Sequence, residues 1–165
     1  MITRASKTLL LAGIAFYYTL VVFNNLTDFD SNYQFVRHTL SMDTTFPGNH
    51  GMWRAITWPV VHLVFYLTII AWEMATAALL WWGSARLVKA WRLTAPAFNA
   101  AKGPAIAGLT LSMLMWLVAF LSVGGEWFLM WQSATWNGQA AAVRMFAVVG
   151  IVLLILLHPE VDGQA

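Results

Sequence analysis

The chain has 165 residues, 60% of them apolar and only 10% charged, with nine Lys and Arg against seven Asp and Glu for a net charge of +2. Soluble domains carry about 25% charged residues, so this composition excludes a water-soluble globule, and nine scattered cations make no phosphate-gripping face for nucleic acid. Cys is absent, which removes disulfides, thiolate catalysis and Cys-ligated zinc or iron–sulfur clusters and leaves an integral membrane protein.

A helix crossing a bilayer needs roughly 20 apolar residues. The first such run, uncharged from Leu9 to Phe23 and continued to Leu26 through Asn24 and Asn25, predicts a span over 8–26. Arg4 and Lys7 precede it as they would precede the apolar core of a secretory signal. No small-x-small cleavage pattern follows, so an uncleaved span is expected.

Residues 24–56 then read as one long connecting loop. Ser31 and Gln34 have capping-box spacing. The apolar period of Phe35, Val36, Thr39, Leu40 and Met42 predicts a short amphipathic helix over 32–42, lying on the membrane surface or capping the bundle. Pro47-Gly48 marks the turn that ends it. The loop gathers a polar cluster of Asn25, Asp28, His38 and Asp43, with Asp30, His50, Met42 and Met52 nearby. Such groups could bind a metal, His38, Asp43 and His62 being the weak candidates. No HxxxH, HxH or HExxH spacing occurs, and a hydrogen-bonded loop is the plainer reading. No cofactor is expected.

The second span, 57–82, holds only His62 and Glu73 as ionisable groups. Eleven residues separate them, which leaves them about 20° apart in azimuth and about 16 Å apart along the axis, with Tyr66 between. An ionisable group this deep is a functional candidate by default. Without a charged partner Glu73 is expected to be protonated and to donate a hydrogen bond. Depth matching places Ser112, Gly150 and Tyr17 near it. His62, Tyr66 and Glu73 are therefore candidates for ligand or proton handling, and a structural anchor is the competing reading.

The third span, 104–124, has no ionisable group and carries Gly108 and Ser112 in a small-xxx-small pattern that lets helices approach closely. The loop after it brings Trp127, Phe128, Trp131 and Trp136 together, either as part of an aromatic belt or as a docking surface for another membrane subunit. The fourth span, 141–158, has Arg144 near its start, where the side chain can snorkel to the interface. No internal repeat relates the two halves. Only His62 lies well inside a span, which disfavours a haem held by two His.

The expectation is a single all-α membrane domain over 1–165, a bundle of four transmembrane helices with a structured loop between helices 1 and 2. Six of the nine cations, Arg4, Lys7, Arg86, Lys89, Arg92 and Lys102, fall on one side. The positive-inside rule then puts both termini in the cytoplasm. Trp53, Trp58, Trp81, Trp82 and Trp91 flank the spans, as interfacial aromatics do.

Several longer motifs resemble one family: Asn24-Asn25-Leu26-Thr27-Asp28, Tyr33-Gln34-Phe35-Val36-Arg37-His38, Met42-Asp43-Thr44-Thr45-Phe46-Pro47 and Trp53-Arg54-Ala55-Ile56. The later stretches Ile70-Ala71-Trp72-Glu73, Gly124-Gly125-Glu126-Trp127-Phe128, Met130-Trp131-Gln132-Ser133 and Trp136-Asn137-Gly138-Gln139 extend the likeness over nearly the whole chain. The chain is similar to a bacterial family of predicted small integral membrane proteins, a domain of unknown function. That resemblance implies a four-span bacterial membrane protein and no reaction. Two functional expectations follow. One is a non-enzymatic accessory subunit or assembly factor of an inner-membrane complex, or a homo-oligomer, partnered by lipid and by other membrane subunits. The other is a ligand-, metal- or proton-handling protein using His62, Tyr66 and Glu73 beneath the 24–56 loop.

Overall fold

The computed structural model describes residues 1–161 and is helical almost throughout. Helix α1 spans Ile2–Thr27, α2 Phe29–Ser41, α3 Pro59–Lys89, α4 Ala95–Ala101, α5 Gly103–Leu114 and α6 Gln139–Leu157. Short 3-10 turns occupy Met52–Arg54 and Met130–Gln132. Among the described residues four helices are long and apolar enough to cross a membrane: α1, α3, the run Ala95–Trp127, and α6. No more than 28% of the most apolar window of any of them is buried. Most of each helix thus faces outward, where lipid must cover it.

Pro sits in the first turn of α3, α4 and α5, where no intrahelical N–H is lost. Beyond Leu114 the third span changes register and runs as a π-helix over Met115–Trp127. Bonds to the fifth preceding carbonyl mark the change, from the Ser122 hydroxyl to Leu117 and from the Phe128 N–H to Val123. The sequence predicted an ordinary helix there. An all-apolar run fixes length but not residues per turn.

The main core joins α1, α3, α5 and α6 through Leu11, Tyr18, Leu80, Leu109 and Val149, all buried. The tightest crossing lies between α3 and α5. A Cβ placed on Gly83 would fall 2.7 Å from the Ala105 backbone, and one on Gly108 would fall 2.9 Å from Leu80. Gly108 thus performs the close approach its spacing predicted, and Gly83 matches it from the facing helix. Ser112 instead pairs with Tyr18 at 2.6 Å, and Trp116 donates to the same Tyr18 oxygen at 3.0 Å.

The end of the bundle that carries the N-terminus and residue 160 is held by charge. Lys7 is buried and donates to the His158 carbonyl and the Glu160 carboxylate, both at 2.6 Å. Lys102, also buried, donates to the same His158 carbonyl at 2.9 Å. Asn99 exchanges two hydrogen bonds with the Glu160 backbone. Arg4 reaches Glu160 at 3.6 Å and donates to the carbonyls of Trp91 and Leu93.

Candidate functional site

The opposite, loop-bearing end is built around α2. This helix begins at Phe29, not at 32, and Asp28 occupies the N-cap position. Ser31 lies inside the helix with its hydroxyl bonded to Asp28 Oδ1, and Gln34 bonds Asp30, so the expected capping box does not form. The cause is tertiary. Phe29 packs edge-on against Tyr66 of α3 with ring centroids 4.8 Å apart, which rewards an earlier start. Val36, Leu40, Met42, Tyr66, Ile70 and Phe128 form a second core that fastens α2 across the bundle end. The helix therefore caps the bundle and does not float on the membrane surface.

His62, Tyr66 and Glu73 do share one buried face of α3, at 2%, 1% and 4% exposure. They do not form one hydrogen-bonded chain. His62 Nε2 donates to the Ile56 carbonyl at 2.7 Å, and Ile56 N–H donates to the Leu40 carbonyl at 2.8 Å. His62 therefore pins the chain between α2 and α3.

Tyr66 and Glu73 meet at Asn25. Asn25, which the sequence assigns both to the end of the first span and to the polar cluster of the loop, belongs to the last turns of α1 and is buried. Its Nδ2 donates to Glu73 Oε2 at 2.6 Å, and Tyr66 donates to its backbone carbonyl at 3.0 Å. Asn25, not Ser112, Gly150 or Tyr17, is thus the direct partner of Glu73, and in that bond the carboxyl accepts where it was expected to donate. No cation bonds Glu73, and its Oε1 has no hydrogen-bond partner among the described residues. Both groups line a partly open cavity of about 240 Å³, together with Asn32, Phe35, Trp116 and Phe120.

The remaining candidates hold the loops together. His38 Nδ1 lies 2.8 Å from Asp43 Oδ2, and its ring stacks on Trp136 at 4.8 Å. His62 is committed elsewhere, and the described residues contain no group of three or more metal-ligating side chains. Phe128 is only 3% exposed and belongs to the core, so it cannot dock a partner. Trp127 packs on Trp53, and Trp131 packs on Phe46. Thr44 and Asn49 of the first loop bond Ser133 and Gln132 of the last. The aromatics of the 124–139 segment thus serve first to seat the 42–56 loop.

Fold and site define a small multi-pass α-helical membrane protein with a largely apolar cavity, into which a carboxyl and an amide reach, beneath α2. The chain belongs to the family described as predicted small integral membrane protein (DUF2165), whose profile it matches over residues 3–159. Neither the curated proteins nor the solved structures include a significant match.

Proposed function

We propose that this protein binds a small hydrogen-bonding molecule from the lipid phase, with the Glu73 carboxyl as its receptor. One observation carries the reading: a buried carboxyl in a membrane span, anchored by a neutral amide on one oxygen, leaves the other unpartnered beside a cavity of about 240 Å³. An ionisable group within a span is costly unless its polar atoms find partners; Glu73 Oε1 reaches the cavity without one, and a purely structural anchor needs no cavity beside it. Asn25 and Tyr66 orient the carboxyl and α2 roofs the site. In this reading the protein resides in a bacterial cytoplasmic membrane with both termini inside.

The accessory-subunit reading draws on a different observation. Trp53 and Trp58 are 75% and 74% exposed at the loop end, more than the interfacial packing of the other Trp requires. Mass spectrometry of lipid extracted from the protein purified in mild detergent separates the two. A molecule retained by wild type and by Glu73→Gln, which keeps shape and hydrogen bonding, but lost from folded Glu73→Leu, supports the ligand site. Equal retention by wild type and Glu73→Leu, with a stoichiometric protein partner instead, overturns it.

A further inference from the structure

The cavity beside Glu73 adjoins a second, almost wholly apolar groove of about 310 Å³. It follows α3 from Val64 to Trp72, a length of about 12 Å. Val118 and Val123 of the π-helix form its other wall. Val64, Phe65 and Val118 are 55%, 38% and 42% exposed, so the groove opens onto the surface that lipid covers. Thr39 and Leu40 of α2, with Phe128 and Met130, roof it. Thr39 Oγ1 is the one fully occluded side-chain oxygen without a partner among the described residues, whereas Glu73 Oε1 reaches the cavity. Four side chains line groove and cavity alike: Phe35, Val36, Ile69 and Phe120.

We propose that groove and cavity are two halves of one site for a single-tailed, ring-headed lipid, its hydroxyl-bearing ring beside Glu73 and its hydrocarbon tail in the groove. This rests on the reading of the cavity as a ligand site. The ring follows from the cavity walls, where Phe35, Tyr66, Trp116 and Phe120 offer aromatic faces and edges. The hydroxyl follows from Glu73 Oε1, because a hydroxyl both donates and accepts and so pairs with a carboxyl in either protonation state. A phospholipid headgroup is a poor fit, since no Lys or Arg lines the cavity to pair with phosphate. Phe35 and Phe120, with ring centroids 6.3 Å apart, form the partition between groove and cavity. Gly138 leaves room for that pair: a Cβ there would fall 2.9 Å from Phe35 Cζ.

Photolabelling of the full chain in lipid nanodiscs tests this with two probes: a tailless diazirinyl phenol, and a 4-decylphenol bearing a diazirine midway along its tail. The tailless probe is expected to label the cavity and to lose at least tenfold of that labelling in Glu73→Leu. The decylphenol is expected to label the 64–72 and 118–123 segments. Thr68→Trp, at an exposed groove position, should cut that groove labelling at least fivefold while leaving the tailless probe unaffected. Val118→Trp, from the facing wall, repeats the test if Thr68→Trp does not fold. Decylphenol labelling confined to the cavity, or unchanged by both Trp variants, overturns the two-part site while the tailless probe still depends on Glu73. Tailless labelling indifferent to Glu73→Leu overturns the cavity reading itself.

Discussion

Glu73 and Glu160 bracket the molecule and are held in opposite ways. Glu73 is met by a single neutral amide. Around Glu160, partial burial pushes the carboxyl up, but the bonded Lys7 ammonium, with Thr3 and Arg4, outweighs burial and holds it below the ordinary carboxylate value. A carboxylate depressed on folding stabilises the native state above its unfolded value and loses that contribution as pH falls through its native one. Thermal unfolding in detergent should therefore show stability falling below about pH 4.5. Glu160→Gln should flatten that fall, and an unchanged pH profile would sink the assignment. Little of this was legible in the sequence. Lys7, Arg4 and Lys102 counted there only as markers of topology, because their partners lie 56 to 156 residues away. Glu73 was legible from its depth alone and Asn25 as part of a polar cluster, whereas their pairing was not, since 48 residues separate them.

The helices were legible to different degrees, and the reason is which signal each one carried. Continuous apolar runs predicted α1, α3 and α6. The amphipathic period predicted α2, but its start was misjudged because the Ser31–Gln34 spacing is local and the Phe29–Tyr66 contact is not. The π register of Met115–Trp127 and the depth of Gly83 left no mark in a run apolar on every side. Gly83 carries the sharpest consequence. An added methyl should gain helix propensity of about 1 kcal/mol, yet it must enter a gap 2.7 Å from the Ala105 backbone. Overpacking costs about 1–3 kcal/mol, and backbone cannot swing aside as a side chain tip can. Gly83→Ala should thus lower thermal stability despite the better helix former, whereas Gly13→Ala, with open space around it, should not. Equal or higher stability for Gly83→Ala would show that α3 and α5 are farther apart than described.

The molecule as a whole is a slender bundle closed by different means at its two ends: ionic bonds where the chain begins, aromatic packing where the loops meet. Span count and connectivity were legible because bilayer thickness sets helix length. Which helix faces meet was not, since both lipid and core select apolar side chains. The proposed orientation rests on cations, yet Arg4, Lys7 and Lys102 are engaged in bonds that either leaflet would tolerate. Topology therefore needs its own measurement, and the lack of native Cys makes it clean. A Cys replacing Asn49 should react with an impermeant maleimide in intact cells once any outer membrane is permeabilised, and one replacing Arg92 should not. The reverse pattern would invert the molecule.

Closure at the ionic end also sets an order of events during synthesis. Lys7 and Lys102 enter early, but the carbonyl and carboxylate that satisfy them belong to His158 and Glu160. Until residues 158 and 160 have left the ribosome, two ammonium groups destined for burial lack these partners. A chain truncated before residue 158 should therefore leave this end open to protease where the longer chain resists, so residues 158–160 act as a latch on the first and third spans.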